Sequence, residues 1–249
     1  MTVDTEAEMA ALRKAGQVVA LTLQAMVEAA KPGISTLELD QIGAAMLAKH
    51  GAKSAPRVMY NFPGDTCISL NNEAAHGIPS ETRIVKEGDL LNLDVSAVLD
   101  DFYSDTATTL QIGEVSSIKA KLCAVSQESL ANGIAAARAG LPLNGIGRVV
   151  EETATKHGFT SIRNLPGHGI GRSLHEPPSV LNFYHPKMKE ILHEGMVFTI
   201  EPFISNGAHQ VDEADDGWTL LTPRGEFCAQ YEHTIVVQKG KAIILTELQ

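Results

Sequence analysis

The chain is short of cysteine, of aromatic residues and of positive charge, and each shortage closes off a class of function. Three cysteines in 249 residues, Cys67, Cys123 and Cys228, form an odd set without a CxxC or other paired spacing. They leave no disulfide framework and suit a reducing compartment. Aromatic residues make up 5%, with Trp218 the single tryptophan. Lysine and arginine number 20 against 30 acids, a formal net charge of −10. With that balance and no basic run, no sequence-specific nucleic-acid partner is expected. No apolar stretch reaches the roughly 18 residues of a membrane span, and the acidic opening Met1 to Glu8 has neither the basic nor the apolar region of a secretion signal. The expected setting is cytoplasmic, with no membrane partner. No low-complexity linker interrupts the chain, and 44% hydrophobic content is enough to bury one large core.

What is present is a repeat. Glu87-Gly88 precedes an apolar run that ends at Asp94, and Glu194-Gly195 precedes one that ends at Glu201. The same offset carries Gly33 onto Gly140 and Lys49-His50-Gly51 onto Lys156-His157-Gly158. Two copies are too few for a solenoid, so the pattern reads as two similar halves, approximately 5–112 and 113–249, fused into a single domain over 1–249.

Each half begins with a helix pair. Met9, Leu12, Val19, Leu23, Met26 and Val27 recur at helical spacing over 6–31 until Pro32-Gly33 ends the run. Ser35-Thr36-Leu37-Glu38 is a capping box that opens a second helix, closing at Lys49-His50-Gly51. The segments 118–138 and 145–157 repeat the pair. Strands are expected over 67–70, 89–99, 104–112, 197–204, 219–221, 231–237 and 242–245, giving an α+β fold with mainly antiparallel sheet.

The chemistry lies on those strands. In Leu91-Asn92-Leu93-Asp94-Val95-Ser96, period-two alternation gathers Asn92, Asp94 and Ser96 on one face and Leu91, Leu93 and Val95 on the other. Asp100-Asp101 offers a turn, which would return the chain with Asp105 beside Asp94. The second half supplies Glu201 and, on a later strand, Glu232. Taken singly, Asp94 or Asp105 reads as a turn acid or a solvated strand residue, and His168 reads equally well as structural or as a ligand. Taken together, four inward acids with no nearby Lys/Arg set call for a cation. His168, flanked by glycines in Pro166-Gly167-His168-Gly169-Ile170-Gly171, is a candidate fifth ligand. Oxygen-rich ligation with one histidine suits Mn, Fe or Co better than structural Zn. Paired ions fit better than one, because carboxylates bridge and four acids would overcharge a single ion. Of the remaining histidines, His185, His193, His209 and His233 carry no such pattern, and His50 and His157 sit at helix C-termini, where the dipole favours them.

These motifs, with Asn71-Asn72-Glu73-Ala74-Ala75-His76-Gly77-Ile78-Pro79, Leu174-His175-Glu176-Pro177-Pro178, Thr199-Ile200-Glu201-Pro202 and Glu232-His233-Thr234, resemble the type I methionine aminopeptidases over nearly the whole chain. The resemblance implies a pita-bread fold: two halves related by pseudo-twofold symmetry, a curved, mainly antiparallel central sheet and two covering helix pairs. It implies that Asp94, Asp105, His168, Glu201 and Glu232 hold two divalent ions per chain, Mn, Fe or Co with Zn or Ni as further candidates, and that Asp105 and Glu232 bridge them. His76 would flank the scissile amide nitrogen and His175 the carbonyl oxygen or the next residue. A hydroxide bridging the ions would attack that carbonyl, with Glu201 shuttling the proton. The resemblance places Met59, Phe62, Cys67, His76, Leu174 and Trp218 around the substrate methionine.

The chain departs from the usual family pattern at Met59, Pro56, Leu174 and Asn72, where Tyr, Cys, Phe or Met, and Glu are common. The implied substrates are N-termini of nascent polypeptides near the ribosome with a small second residue, and the implied assembly is a monomer. Relatives that cut before proline or act on creatine-like substrates usually carry a large N-terminal domain, for which the early first helix leaves no room. A zinc-binding N-terminal extension and the helical insertion of the type II form are likewise not expected. A metal-free binding module would be expected to lack ligands that are all present here.

Overall fold

The computed structural model describes residues 1–223 and 225–248. Helix α1 runs over Glu6–Ala29 and α2 over Thr36–Lys49. Both start on reciprocal capping boxes, Thr5 with Glu8 and Ser35 with Glu38, so two otherwise orphaned amides are satisfied at each end. A short helix not expected from the sequence, α3, covers Ala55–Tyr60. Helices α4, Ser117–Ala136, and α5, Asn144–Lys156, form the second pair. Among the described residues no helix is long and apolar enough to cross a membrane.

The strands explain why the halves meet where they do. One nine-stranded antiparallel sheet contains, side by side, Leu90–Leu99, Phe102–Gln111, Glu232–Val236, Val197–Ile200 and Gly167–Gly169. Its middle reads the same from both sides: the strand of Asp94, the strand of Asp105, the strand of Glu232, then the strand that delivers Glu201. The halves join where Glu232 pairs with Ala107 and His233 with Thr106. Gly88 and Gly195, each opening one of the matched acid-bearing segments, both have φ of 86°. That left-handed backbone is open to glycine and strained for most other residues, so the repeated glycine follows from a repeated turn.

Apolar faces close the sheet from outside. Leu91, Leu93 and Val95 pack into one core with Leu12, Val19 and Met26 of α1. Phe198, Ile200 and Ile235 pack into a second with Leu122 of α4 and Ile146 and Val150 of α5. The opposite face is left for polar side chains. Fit is tight where α1 crosses the C-terminal segment: a Cβ on Gly16 would lie 2.3 Å from the Leu245 carbonyl oxygen. Gly16→Ala is therefore expected to destabilise the protein by about 1–3 kcal/mol, typical of overpacking against backbone. That outweighs the helix-propensity gain of up to about 1 kcal/mol. The guanidinium unfolding midpoint reads the effect, and an unchanged or higher midpoint would contradict it.

One expected strand is broken and another shortened. The 197–204 run splits into Val197–Ile200 in the large sheet and Phe203–Ser205 in a three-stranded sheet with Cys228–Gln230 and Thr160–Ser161. Pro202 has no N–H to give the ladder, so pairing stops there. The 231–237 run likewise starts at Glu232, after the chain changes sheet from Cys228–Gln230. Both changes of sheet occur beside an acid, Glu201 in one case and Glu232 in the other.

Candidate metal centre

Register brings the acids together. Ala107 pairs with Asp94 on one side and with Glu232 on the other, so those carboxylates flank one position of the central strand. Asp105 precedes Ala107 by two residues and lies on the same face, paired with Ser96. Ile200 pairs with His233, which places Glu201, the next residue, beside Glu232. The Asp94–Asp105 hairpin turns at Asp100-Asp101, where both residues adopt positive φ, 50° and 63°, a conformation Asp tolerates better than most residues.

His168 completes the group. Its Nε2 lies 3.4 Å from Glu201 Oε1 and 3.9 Å from Asp105 Oδ2. These short distances are not ion pairs, because burial depresses His168 to about 3 and the ring is neutral. Its Nδ1 sits 3.0 Å from the Gly169 carbonyl oxygen, which can only accept, so the proton is on Nδ1. The Nε2 lone pair thus faces the carboxylates, the tautomer a metal-ligating imidazole needs.

Electrostatics test whether cations fit. Burial pushes Asp94, Glu201 and Glu232 well above the ordinary carboxylate range, and repulsion among the acids adds to it. Burial also raises Asp105, to about 6, against hydrogen bonds that pull it down. Among the described residues no Lys or Arg forms an ion pair with any of these acids. Among the described residues Asp105 Oδ1 and Glu232 Oε1, both buried, find no hydrogen-bond partner. Ligand atoms of Asp105, His168 and Glu232 all lie within 4.8 Å of one another. Orphaned carboxyl oxygens facing a bare imidazole nitrogen are a donor set for divalent metal.

Residues behind the acids hold them in place. The Thr199 hydroxyl donates to Glu201 Oε1 at 2.7 Å, and the Asn182 amide donates to the Glu201 carbonyl at 3.1 Å. The Thr234 hydroxyl accepts from the Asp105 amide at 3.0 Å and donates to its carbonyl at 2.7 Å, locking the central strand pair. Gln230 contacts Glu232 at 3.4 Å and accepts from Asn92 at 3.1 Å. Sequence reading missed Asn182 and Gln230, whose surroundings are set by chain segments distant in sequence.

The acids form the floor of a cavity of about 670 Å³ whose lining includes His76, His175, Phe62, Cys67, Leu174 and Trp218. Phe62 meets Trp218 edge-on, with ring centroids 5.1 Å apart. Cys67 reaches the wall because its strand pairs it directly with Asp94. Burial lowers His76 to about 4 and lowers His175 as well, so both imidazoles are neutral near pH 7.

Met59 does not join that wall. It is 38% exposed and takes a hydrogen bond from the Tyr103 hydroxyl at 3.3 Å. Tyr60 and Pro56 line the cavity instead. Ser54-Ala55-Pro56 is a helix start, with the Ser54 hydroxyl accepting from the Arg57 amide. That start places residues four apart on one face, and Met59 falls to its flank. Met59, expected around the substrate methionine, therefore lies outside the cavity lining, and the helix that turns it aside is too short to show a period in the sequence. Met59→Ala is accordingly expected to change KM for a methionyl peptide by less than about twofold, the effect of a residue outside an apolar contact. A tenfold rise would return Met59 to the pocket.

The profile of metallopeptidase family M24 matches residues 10–239. The chain belongs to metallopeptidase family M24. It is 48% identical to methionine aminopeptidase 2 of Bacillus subtilis, with all of both chains aligned. The crystal structure of methionine aminopeptidase from Thermotoga maritima superposes with a TM-score of 0.95 at 34% identity, covering 99% of this chain and 100% of the other. That of the Rickettsia prowazekii methionine aminopeptidase gives 0.94 at 36%, with the same coverage. This M24 metallopeptidase is therefore an enzyme, its place is among the methionine aminopeptidases, and its fold is the pita bread of these structures. Asp105, His168 and Glu232 form a largely buried group able to bind a metal ion.

Proposed function

We propose that the enzyme removes the N-terminal methionine from newly made polypeptides whose second residue is small, using two divalent ions held by Asp94, Asp105, His168, Glu201 and Glu232. The observation that carries the reading is the joining, in one cavity, of an unpaired acid and imidazole floor to a mostly apolar wall. When bound, paired ions of the Mn, Fe or Co type, with Zn or Ni as alternatives, supply Lewis acidity to the substrate amine and carbonyl and lower the pKa of a water.

The chain's own residues do the rest. Asp105 and Glu232 lie on the two central strands of the sheet, which suits them to be the shared ligands. Glu201 takes the proton of the attacking water and delivers it to the leaving amine, with Oε1 steadied by the Thr199 hydroxyl. His175 donates to the carbonyl oxygen as that atom gains negative charge, and His76 faces the scissile amide nitrogen. Phe62, Cys67, Leu174 and Trp218 exclude water and hold the methionine side chain.

Both halves contribute ligands, Asp94 and Asp105 from one and His168, Glu201 and Glu232 from the other. Residues 1–249 accordingly act as one catalytic unit. Every group of the site comes from a single chain, so a monomer is sufficient. Three buried free thiols fit a cytoplasmic setting, where N-termini emerging near the ribosome are the substrates.

An apolar pocket discriminates by only about 1–3 kcal/mol per methylene, so preference is expected to be graded. Methionine release is expected to be on the order of 100-fold faster from Met-Ala than from Met-Lys peptides, within the range such sites reach. Xaa-Pro peptides are expected to remain uncut. Equal rates for Met-Ala and Met-Lys would remove the small-residue preference, and faster cleavage of Xaa-Pro would reassign the substrate class.

A further inference from the structure

Two imidazoles stand together in the cavity, His168 and His175, with ring centroids 4.1 Å apart. Each has one ring nitrogen engaged by a different kind of partner. His168 Nδ1 faces the Gly169 carbonyl oxygen, which only accepts. His175 Nδ1 lies 2.6 Å from the Tyr60 hydroxyl. A phenol is a far stronger acid than a neutral imidazole N–H, and an imidazole nitrogen is a far stronger base than a phenol oxygen. The favoured arrangement is therefore O–H donating to Nδ1. A nitrogen that accepts carries no proton, and an imidazole with one bare nitrogen carries its proton on the other.

We propose that Tyr60 is a positioning residue, whose hydroxyl donates to His175 Nδ1 and fixes the tautomer in which His175 Nε2 carries the proton offered to the substrate carbonyl oxygen. The adjacent imidazoles are thereby set in opposite forms. Gly169 leaves His168 Nε2 bare, as a ligand, and Tyr60 leaves His175 Nε2 protonated, as a donor. The inference rests on the reading of His175 given above, that it acts at the carbonyl oxygen.

The placement of Tyr60 suits this task. It closes α3 on the cavity side, its ring is tilted 49° to that of His175 with centroids 5.5 Å apart, and Asn61 ends the helix immediately after it in left-handed backbone. Among the described residues the Tyr60 hydroxyl is the one hydrogen-bond partner of the His175 ring. Without it, Nδ1–H and Nε2–H forms of the ring would interconvert, and part of the population would present a lone pair to an oxygen gaining negative charge. That form repels where a donor is needed.

The test uses the full chain labelled with nitrogen-15 histidine, both metal-free and zinc-loaded, so that neither sample is paramagnetic. In the unmodified protein the His175 Nδ1 resonance is expected to be of the unprotonated type and Nε2 of the protonated type. In Tyr60→Phe the two are expected to move toward an average. Steady-state kinetics on a Met-Ala peptide should show kcat falling about tenfold with KM nearly unchanged, the split expected when a transition-state interaction is weakened. A purely structural role for the hydroxyl would leave the nitrogen resonances in place. A protonated Nδ1 in the unmodified protein would overturn the proposal, as would a shifted tautomer in Tyr60→Phe with unaltered kcat. His175→Ala separates the two readings: unimpaired kcat in that variant would sink the role of His175 itself, whereas a large loss there with no effect of Tyr60→Phe would sink only the role of Tyr60.

Discussion

Asp105→Ala is expected to abolish methionine release, by a factor on the order of 1,000 or more, even with saturating divalent metal. A loss of that size corresponds to about 4 kcal/mol of transition-state stabilisation. Asp105 lies on one of the two central strands, between the Asp94 and Glu232 strands, and its buried Oδ1 has no partner among the described residues. As the proposed shared ligand it acts on both ions, so its loss is not repaired by adding more metal. Misfolding would give the same kinetic result, and the metal-free protein distinguishes the two. Asp105→Asn keeps the shape of the side chain while removing one of several mutually repelling buried acids. Its metal-free form is expected to melt at the same temperature as the unmodified protein or a few degrees higher. Turnover within about tenfold of normal in Asp105→Ala would end the shared-ligand assignment.

Chelation followed by dialysis should likewise leave no measurable methionine release, and Mn or Co should restore it. The stability change is as informative as the activity. An ion that binds only the folded state at a hundred times its Kd contributes about 2.7 kcal/mol. In a protein of this size each kcal/mol raises the Tm by about 2–4 °C, so each filled site should add about 5–10 °C. Paired ions predict two equivalents bound per chain by calorimetry, with a second increment in Tm as the weaker site fills. Saturation at one equivalent with full activity would remove the second ion from the mechanism, and no uptake at all would remove both.

Much of this arrangement is legible in the amino-acid order. The capping residues, the helix-ending glycines and the alternation of Leu91, Leu93 and Val95 with Asn92, Asp94 and Ser96 are local signals with local causes, and the helix pairs and the Asp94–Asp105 hairpin follow from them. The repeat is legible for the same reason, because a left-handed turn at Gly88 demands the same residue when it recurs at Gly195. Less visible was the ending of the acid-bearing strands. Pro202 marked where a ladder must stop, yet the continuous apolar run around it hid the change of sheet. Tyr60 was hidden by its own helix, which is only six residues long and too brief to show a period. The displacement of Met59 from the cavity wall has the same origin.

The order of residues alone determined which side chains could serve as ligands, which faces were apolar, and that two copies of one device were present, since each of these depends on spacing along a single segment. Only the tertiary structure decided that the Asp105 and Glu232 strands lie side by side at the seam, that His168 shows its bare nitrogen to the acids, and that Tyr60 rather than Met59 reaches His175. Those outcomes depend on register between strands far apart in the chain and on which partner each ring nitrogen meets. Pairing across such distances is settled by how the two cores close over the sheet, a property of the whole packed molecule that no single stretch of sequence carries.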